Sequence, residues 1–159
     1  AIALKTQQAL LNKGYRVIMV RSTDRSCMNT SSTATELQCR INIAAANRAN
    51  AYISIHINSA GAGARGTESY YNNTGNPHPS DSQRLASSIH RYFQPTFGSV
   101  NRGVHTANYY VLKRNTVPAT LIEIGFITDP SDLAKMKSST MQQNVSYSIA
   151  KGVDEFFGL

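Results

Sequence analysis

Residues 52–58 read Tyr-Ile-Ser-Ile-His-Ile-Asn, and this stretch decides the fold. Side chains of a strand point alternately to its two faces, which puts the three isoleucines on one face and Ser54, His56 and Asn58 on the other. A short apolar run rich in β-branched residues predicts a strand buried in a sheet. The polar face of such a strand makes His56 a candidate metal ligand or general base. The alternative is a structural histidine held by hydrogen bonds.

A second apolar run, Pro-Ala-Thr-Leu-Ile-Glu-Ile-Gly-Phe at 118–126, predicts another buried strand, which Glu123 interrupts. A buried carboxylate without a partner is costly, so a metal, an arginine or a raised pKa must compensate it. Arg40 and Arg102 are the candidates for a structural ion pair with Glu123. Functional sites of parallel sheets collect at the carboxyl ends of the strands, where His56 and Glu123 both lie. The two residues together predict a metal hydrolase.

Weaker patterns on either side of these two strands complete a single domain over residues 1–159. Apolar spacing predicts helices that end near Gly14, that cover 37–45, that run from 85 to a stop at Pro95, and that cover 141–156. Further strands are predicted over 15–21, 67–71 and 109–112, with polar loops over 22–35, 61–66 and 72–80. Alternating strands and helices predict an α/β fold, with a mostly parallel twisted sheet flanked by helices on both faces in three layers.

The composition is that of a globular protein, since 41% of the residues are hydrophobic and 16% are charged. No apolar run approaches the roughly 18 residues of a membrane span, so membrane insertion is not expected. The net charge of +7 favours a polyanionic partner. Because the chain has neither a Lys/Arg block nor an RNA-binding signature, nucleic acid is not expected to be that partner.

Two cysteines, Cys27 and Cys39, stand twelve positions apart without a CxxC pair, which argues against a zinc ribbon and a thioredoxin-type redox site. They either form one disulfide, as in an exported protein, or are two ordinary thiols. The helical zinc motif HExxH, the nucleophile motif GxSxG and a Gly-rich phosphate loop are absent as well. The chemistry therefore has to rest on other residues.

Three further residues are weaker candidates for the site of His56 and Glu123. Glu68 either supports the site from a neighbouring strand or is an ordinary exposed glutamate. Arg102 either orients a substrate or belongs to a turn. His105 lies close enough in sequence to Arg102 to reach the same site.

Several short segments, taken in order, resemble the zinc amidases of the Amidase_3 type. They are Gly-Tyr-Arg-Val at 14–17, Thr-Asp at 23–24, Arg40 with Ala-Asn at 46–47, Ser-Ile-His-Ile-Asn at 54–58, Gly-Thr-Glu-Ser-Tyr-Tyr at 66–71, Arg-Gly-Val at 102–104, Tyr-Tyr-Val-Leu at 109–112, and 118–126. Each is weak alone, but their order and spacing are specific and span essentially the whole chain. The resemblance implies an N-acetylmuramoyl-L-alanine amidase, a hydrolase that cuts the amide between the sugar strand and the stem peptide of peptidoglycan.

The resemblance also implies one Zn²⁺ per chain, held by two histidines and a glutamate, with a second glutamate as the catalyst. By motif, the second histidine falls on His56 and the catalytic glutamate on Glu123. The segments that carry the other two ligands do not occur in this sequence, which starts within a helical pattern without a start methionine or a cap. The other ligands are therefore expected upstream of Ala1, in a domain that is N-terminally incomplete.

The implied mechanism uses zinc to lower the pKa of a bound water, while Glu123 takes a proton from that water and hands it to the leaving nitrogen. Substrate-binding or supporting roles are expected for four residues: Asn58, Glu68, Arg102 and Arg40. Two alternatives stay open. One is a non-catalytic peptidoglycan-binding or regulatory domain that has lost its zinc ligands, and the other is a zinc peptidase that cuts within the stem peptide.

The setting that the resemblance implies is the bacterial cell wall. Peptidoglycan is the expected substrate of a monomeric enzyme, and the net charge of +7 suits anionic wall polymers as further partners. A secreted autolysin of the wall or periplasm fits this setting. A phage endolysin reaches the same substrate from inside the cell, and the sequence does not choose between the two.

Overall fold

The computed structural model describes residues 1–28 and 31–159, and these form a four-stranded sheet with helices around it. The strands are β1 (Tyr52–Asn58), β2 (Thr67–Tyr71), β3 (Asn101–Thr106) and β4 (Ala119–Phe126). Their spatial order is β1-β4-β2-β3, with β1 parallel to β4, β2 parallel to β3, and β2 antiparallel to β4. Every residue of β4 is buried, as its apolar run predicts. The predicted mostly parallel sheet is confirmed.

The helices of the described residues are α1 (Ile2–Asn12), α2 (Thr33–Ala46), α3 (Pro79–Phe97), α4 (Tyr110–Lys113), α5 (Pro130–Lys137) and α6 (Ser139–Phe157). Residues of α1, α3, α5 and α6 form the larger hydrophobic core with Ile122 of β4. Residues of α2 and α4 form the smaller core with Leu121 of the same strand. Neighbouring residues of a strand face opposite ways, so the cores lie on opposite sides and the predicted three layers are confirmed. None of the described helices is long and apolar enough to span a membrane.

Helix α3 continues past Pro95, so the predicted stop at this proline is wrong. A proline inside a helix removes one backbone hydrogen bond, but its fixed φ is helical. Phe93 and Phe97, on either side of it, are buried and hold the last turn against the larger core. The helix ends instead at Gly98, whose left-handed φ of 63° caps it.

The segment 15–21 is not a strand, contrary to the prediction from its apolar run. A strand needs a neighbour for its backbone N–H and C=O groups, and none of the described strands pairs with this segment. Tyr15 and Val17 pack against the larger core, and Val20 packs against the smaller one. Between this segment and the edge strand β1 lies a cleft of about 1000 Å³, to which α1 and α2 also contribute.

The strand predicted over 109–112 is also wrong, because Tyr109 is the N-cap of α4 and the residues after it form the single turn of that helix. A short apolar run does not distinguish a strand from a helix. Here the backbone N–H of Lys113 donates to the carbonyl of Tyr109 at 2.9 Å, the spacing of an α-helix. The strand of this region is instead β3, a run of mixed polarity that pairs with β2. Helix α5 was not predicted either.

The polar loop predicted over 22–35 ends earlier than its composition indicates, because α2 begins at Thr33. The side chain of Ser32 caps this helix by accepting a hydrogen bond from the backbone N–H of Thr35 at 3.3 Å. Residues 29 and 30, which belong to the predicted loop, lie outside the described residues.

The loop is attached to α2 at two points. A disulfide joins Cys27 to Cys39, with Cα atoms 6.1 Å apart, so of the two states that the sequence leaves open the structure contains the disulfide. Beside it, the Glu36 carboxylate accepts hydrogen bonds from the backbone N–H of Cys27 at 2.9 Å and of Met28 at 2.8 Å. These contacts fix the course of the chain at the start of α2.

Helices α3 and α6 approach each other backbone to backbone at Gly152. A Cβ atom at this position would lie 2.5 Å from the Cα atom of Ile89 and 2.8 Å from the carbonyl oxygen of Ser88. Backbone atoms cannot turn aside as the end of a flexible side chain can. The missing side chain of Gly152 is therefore what allows the two long helices to pack this closely.

One buried carboxylate, that of Asp132 at the start of α5, ties three parts of the fold together. It is fully buried and accepts hydrogen bonds from the backbone N–H of Gly66 at 2.8 Å, the backbone N–H of Phe126 at 3.1 Å and the hydroxyl of Ser99 at 2.6 Å. Burial alone would raise the pKa of Asp132, but these hydrogen bonds outweigh burial and lower it. The start of β2, the end of β4 and the turn before β3 are thereby held to one side chain.

Replacing Asp132 with alanine is expected to lower the free energy of unfolding at pH 7 by about 3 kcal/mol, because buried donors are left without an acceptor. The folded-state pKa of Asp132 lies below its unfolded value of about 3.9, so the contribution is complete above that pH and is lost as the pH falls through the folded pKa. The difference in the free energy of unfolding between wild type and variant should therefore narrow below about pH 4. Urea denaturation at pH 7 and pH 3 measures this difference.

The control for this experiment is Asp24→Ala, at an aspartate whose side chain is fully exposed. This variant should match the wild type at both pH values. Equal stability of Asp132→Ala and wild type at pH 7 would contradict the role assigned to the carboxylate.

Candidate active site

The structure places His56 and Glu123 side by side at one edge of the sheet. They are Cα partners in the parallel pair of β1 and β4, close to the carboxyl end of both strands. After His56 the register shifts by a bulge, so that Asn58 pairs with Phe126. The two residues that the sequence singles out are thus neighbours in space.

Glu123 is a buried carboxyl group that has no ion-pair partner within residues 1–28 and 31–159. The residue is 8% exposed, and its Oε2 atom has no hydrogen-bond partner among the described residues. Burial, and then the negative charge of Glu68, raise the pKa of Glu123 to about 7. Neither arginine considered as a structural partner reaches it, since Arg40 pairs with Glu36 at 3.1 Å and Arg102 pairs with Glu68. Glu123 can therefore both hold and release a proton near neutral pH.

His56 is exposed to solvent, and it also borders the cleft beside β1. Partial desolvation, and then the positive charges of Arg40 and Arg21, lower the pKa of His56. Its imidazole is therefore neutral at pH 7, which is the form that binds a metal ion. Arg40 acts on His56 through its positive charge, and its guanidinium pairs with Glu36.

Glu68 is the second carboxylate of the site and faces Glu123 across the antiparallel pair of β2 and β4. Its Oε2 atom accepts hydrogen bonds from Tyr70 Oη at 2.7 Å and Asn58 Nδ2 at 3.1 Å, and its Oε1 atom accepts one from Arg102 Nε. Burial alone would raise the pKa of Glu68, but the hydrogen bonds from Arg102 and Tyr70 outweigh it and lower the pKa. There is thus a pH range in which Glu68 is ionised while Glu123 still holds its proton. This difference in pKa separates the roles of the two neighbouring carboxyl groups.

Two tyrosines that sequence reasoning missed form an aromatic wall next to the carboxylates. The rings of Tyr70 and Tyr109 meet edge to face with centroids 5.3 Å apart, and the ring centroid of His105 lies 6.0 Å from that of Tyr70. Tyr109 is 43% exposed and can contact a bound molecule. The signal for Tyr70 is its position two residues after Glu68, which puts both side chains on one face of the strand.

His90 has a structural role elsewhere. It is buried, its Nδ1 atom lies 2.9 Å from Ser69 Oγ, and its Nε2 atom lies 2.9 Å from Asn101 Oδ1. Ser69 follows Glu68 directly and so faces the opposite side of β2. His90 therefore belongs to the far side of the sheet from Glu123.

The described residues do not fit a zinc site on their own. A catalytic zinc ion usually has three protein ligands and a water molecule. Over residues 1–28 and 31–159 no group of three or more His, Cys, Asp or Glu side chains is arranged to hold a metal ion. Among the described residues, His56 is the histidine that lies beside Glu123 at the carboxyl ends of β1 and β4.

The α/β fold thus brings a histidine and a buried carboxyl group together at the carboxyl ends of two parallel strands. The chain belongs to the N-acetylmuramoyl-L-alanine amidases of the Amidase_3 family, because the model of this family matches residues 1–155. The predicted family is thereby confirmed.

Individual relatives agree with this assignment. The N-acetylmuramoyl-L-alanine amidase LytC of Bacillus subtilis is 32% identical over 157 residues, which are 98% of this chain and 30% of LytC. The sporulation-specific N-acetylmuramoyl-L-alanine amidase of the same organism is 32% identical over 160 residues, 100% of this chain and 57% of the relative. The chain thus spans less than two thirds of these relatives.

A solved structure shows the same fold. The catalytic domain of CwlV, an N-acetylmuramoyl-L-alanine amidase from Bacillus (Paenibacillus) polymyxa, superposes with a TM-score of 0.85 at 30% identity, covering 99% of this chain and 81% of that domain. The arrangement of sheet and helices is therefore that of an amidase catalytic domain.

Proposed function

We propose that this chain is the catalytic part of an enzyme that hydrolyses the amide between N-acetylmuramic acid and L-alanine in peptidoglycan. The observation that carries the proposal is Glu123, a buried carboxyl group with a pKa of about 7 and an Oε2 atom free of hydrogen bonds within the described residues. A group with these properties suits a reaction that needs a base in one step and an acid in the next. Membership of the Amidase_3 family supplies the substrate.

In the proposed reaction, Glu123 accepts a proton from the attacking water and then donates it to the leaving L-alanine nitrogen. Glu68 does not compete for this role, because three donors occupy its oxygen atoms and keep it ionised. Its negative charge instead helps Glu123 to hold the proton until it is passed on. Asn58 and Arg102 support the site by fixing Glu68.

We propose that the full protein holds one Zn²⁺ per chain, with His56 as one ligand and the others upstream of Ala1. The neutral imidazole of His56 and its place beside Glu123 support this assignment. The described residues do not complete a zinc site, so the ligands beside His56 have to come from other residues of the full protein.

The cleft beside β1 supports the related proposal that the domain is completed by upstream residues. β1 is an edge strand of the described sheet, and the cleft of about 1000 Å³ next to it is bordered by apolar residues on both sides, such as Ile53, Ile55 and Val17. An extended segment in this position would pair with β1 and cover these side chains.

The second candidate function is a non-catalytic peptidoglycan-binding or regulatory domain. It is favoured by the lack of a three-ligand cluster in the described residues. Glu123 argues against it, because its Oε2 atom has no hydrogen-bond partner in the described part of the chain, and a binding domain gains nothing from a buried carboxyl group that costs stability.

The proposed setting is the cell wall or periplasm, outside the cytoplasmic membrane, where a disulfide such as Cys27–Cys39 persists. The net charge of +7 suits binding to anionic wall polymers, and we propose that the enzyme acts there as a monomer. A phage endolysin would meet the same substrate and remains compatible with these features.

The proposed bond is tested by product analysis of purified peptidoglycan after incubation with the full-length protein. Cleavage at the proposed amide releases stem peptides whose new amino terminus is L-alanine, and leaves the sugar strands intact. Amino termini from within the stem peptide would instead identify a peptidase, and unchanged peptidoglycan would favour the binding domain.

A further inference from the structure

The guanidinium group of Arg102 is held in place by neighbouring side chains, but within the described residues only some of its N–H donors have an acceptor. Its Nε atom donates to Glu68 Oε1, and its Cζ atom lies 5.2 Å from the centroid of the Phe126 ring. The side chain is 42% exposed. Its two terminal nitrogens donate no hydrogen bond to any side chain or backbone group of the described residues.

This geometry leaves the two terminal nitrogens of Arg102, with their four N–H donors, at the surface of the site. A guanidinium group has five N–H donors in one plane, and the contact with Glu68 uses the one on Nε. The four on the terminal nitrogens match the two oxygens of a carboxylate. Because Glu68 and Phe126 already fix the plane of the group, less side-chain freedom is lost when a ligand binds.

The donors lie close to the proposed catalytic group. Glu68 is the Cα partner of Gly103 on one side and of Glu123 on the other, so the side chain of Arg102 reaches across β2 towards β4. Phe126, over which the guanidinium lies, is three residues beyond Glu123 on that strand. Neighbouring strands are about 4.8 Å apart, and one extended residue spans about 3.5 Å. A group bound by Arg102 would therefore belong to the substrate residue next to the reacting amide or the one after it.

We propose that Arg102 determines specificity by binding a carboxylate of the stem peptide one residue beyond the L-alanine of the cleaved amide. The inference rests on the proposed function and names the substrate class of that site: stem peptides in which the second residue is isoglutamate with a free carboxylate, in preference to its amide, isoglutamine. The Arg102–Glu68 pair is neutral as a whole, so the preference arises from hydrogen bonds and is moderate in size.

Titration calorimetry with two product peptides tests the proposal without requiring turnover. The probes are L-alanyl-γ-D-glutamyl-L-lysine and the same peptide with isoglutamine, and the protein is the full-length chain. The wild type should bind the carboxylate form about tenfold more tightly, the lower range for a hydrogen bond to a charged group. Arg102→Gln should bind both peptides equally, with little change for the isoglutamine form.

Two further variants make the result specific to the guanidinium. Arg102→Lys keeps the charge but not the planar fork and should retain a preference of about threefold. Arg91→Gln removes an equal charge from an exposed ion pair with Glu155, between α3 and α6, and should retain the full preference. Circular dichroism of each variant checks that it is folded.

The proposal is overturned if the wild type binds the two peptides equally, if neither binds, or if Arg102→Gln weakens both by the same factor. The last result would assign Arg102 a role in holding Glu68 only. Failure of the proposed function is a separate outcome, because it is measured by the bond cut in intact peptidoglycan.

Discussion

A Glu123→Gln variant is expected to lose about a thousandfold in kcat/KM for the release of stem peptide from peptidoglycan, within the range for loss of a general acid–base. Glutamine has nearly the same shape as glutamate but neither accepts the proton of the attacking water nor returns it to the leaving nitrogen. The loss should appear in kcat, because the proton moves only during the reaction.

The same variant is expected to stay folded. The Oε2 atom of Glu123 has no hydrogen-bond partner among the described residues, so no side-chain contact of that atom is broken. The substitution also removes an ionisable group from a buried position beside the ionised Glu68. Thermal unfolding should therefore be unchanged or slightly shifted upwards, and zinc content should match the wild type.

The matched control is Glu155→Gln, at a glutamate that pairs with Arg91 away from the site. It should leave the rate unchanged. Release of stem peptide by Glu123→Gln at a near-normal rate would show that the proton is handled by another group.

The second large effect is expected from His56→Ala, which should weaken zinc binding to the full-length protein by more than about a hundredfold. Residues that merely orient metal ligands already affect affinity by about 10–100-fold, and a ligand contributes more. Elemental analysis after dialysis against metal-free buffer is the measurement. About one zinc per chain is expected for the wild type and almost none for the variant.

His78→Ala is the control for the metal experiment, because His78 is exposed at the start of α3. Its zinc content should equal that of the wild type. Retention of zinc by His56→Ala would remove His56 from the ligand set. A wild type without zinc, even after zinc is added back, would favour the non-catalytic alternative.

The core of the fold and the two central candidates were predictable because they depend on local patterns. The alternation around His56 and the apolar run around Glu123 identify β1 and β4, and parallel strands bring their carboxyl ends together. The strands predicted over 15–21 and 109–112 are wrong, because a short apolar run does not specify a partner strand or exclude a helical turn.

The partners of the candidate residues could not be predicted, because they depend on the order of the strands. β2 lies between β4 and β3, which puts Glu68 beside Glu123 and within reach of Arg102. The sequence offered Arg40 and Arg102 equally as partners of Glu123. In the structure each arginine pairs with a different glutamate: Arg40 with Glu36 within α2, and Arg102 with Glu68 between β3 and β2.

The contact of α3 with α6 at Gly152 bears on how relatives of this protein can diverge. Alanine at this position, normally a mild exchange in a helix, would force the two backbones apart, so we expect relatives to keep glycine there. Invariance at Gly152 would record the spacing of two helices and carry no information about the reaction. Conservation at Gly152 and at Glu123 would thus have unrelated reasons: the first preserves helix packing, and the second preserves the proposed chemistry.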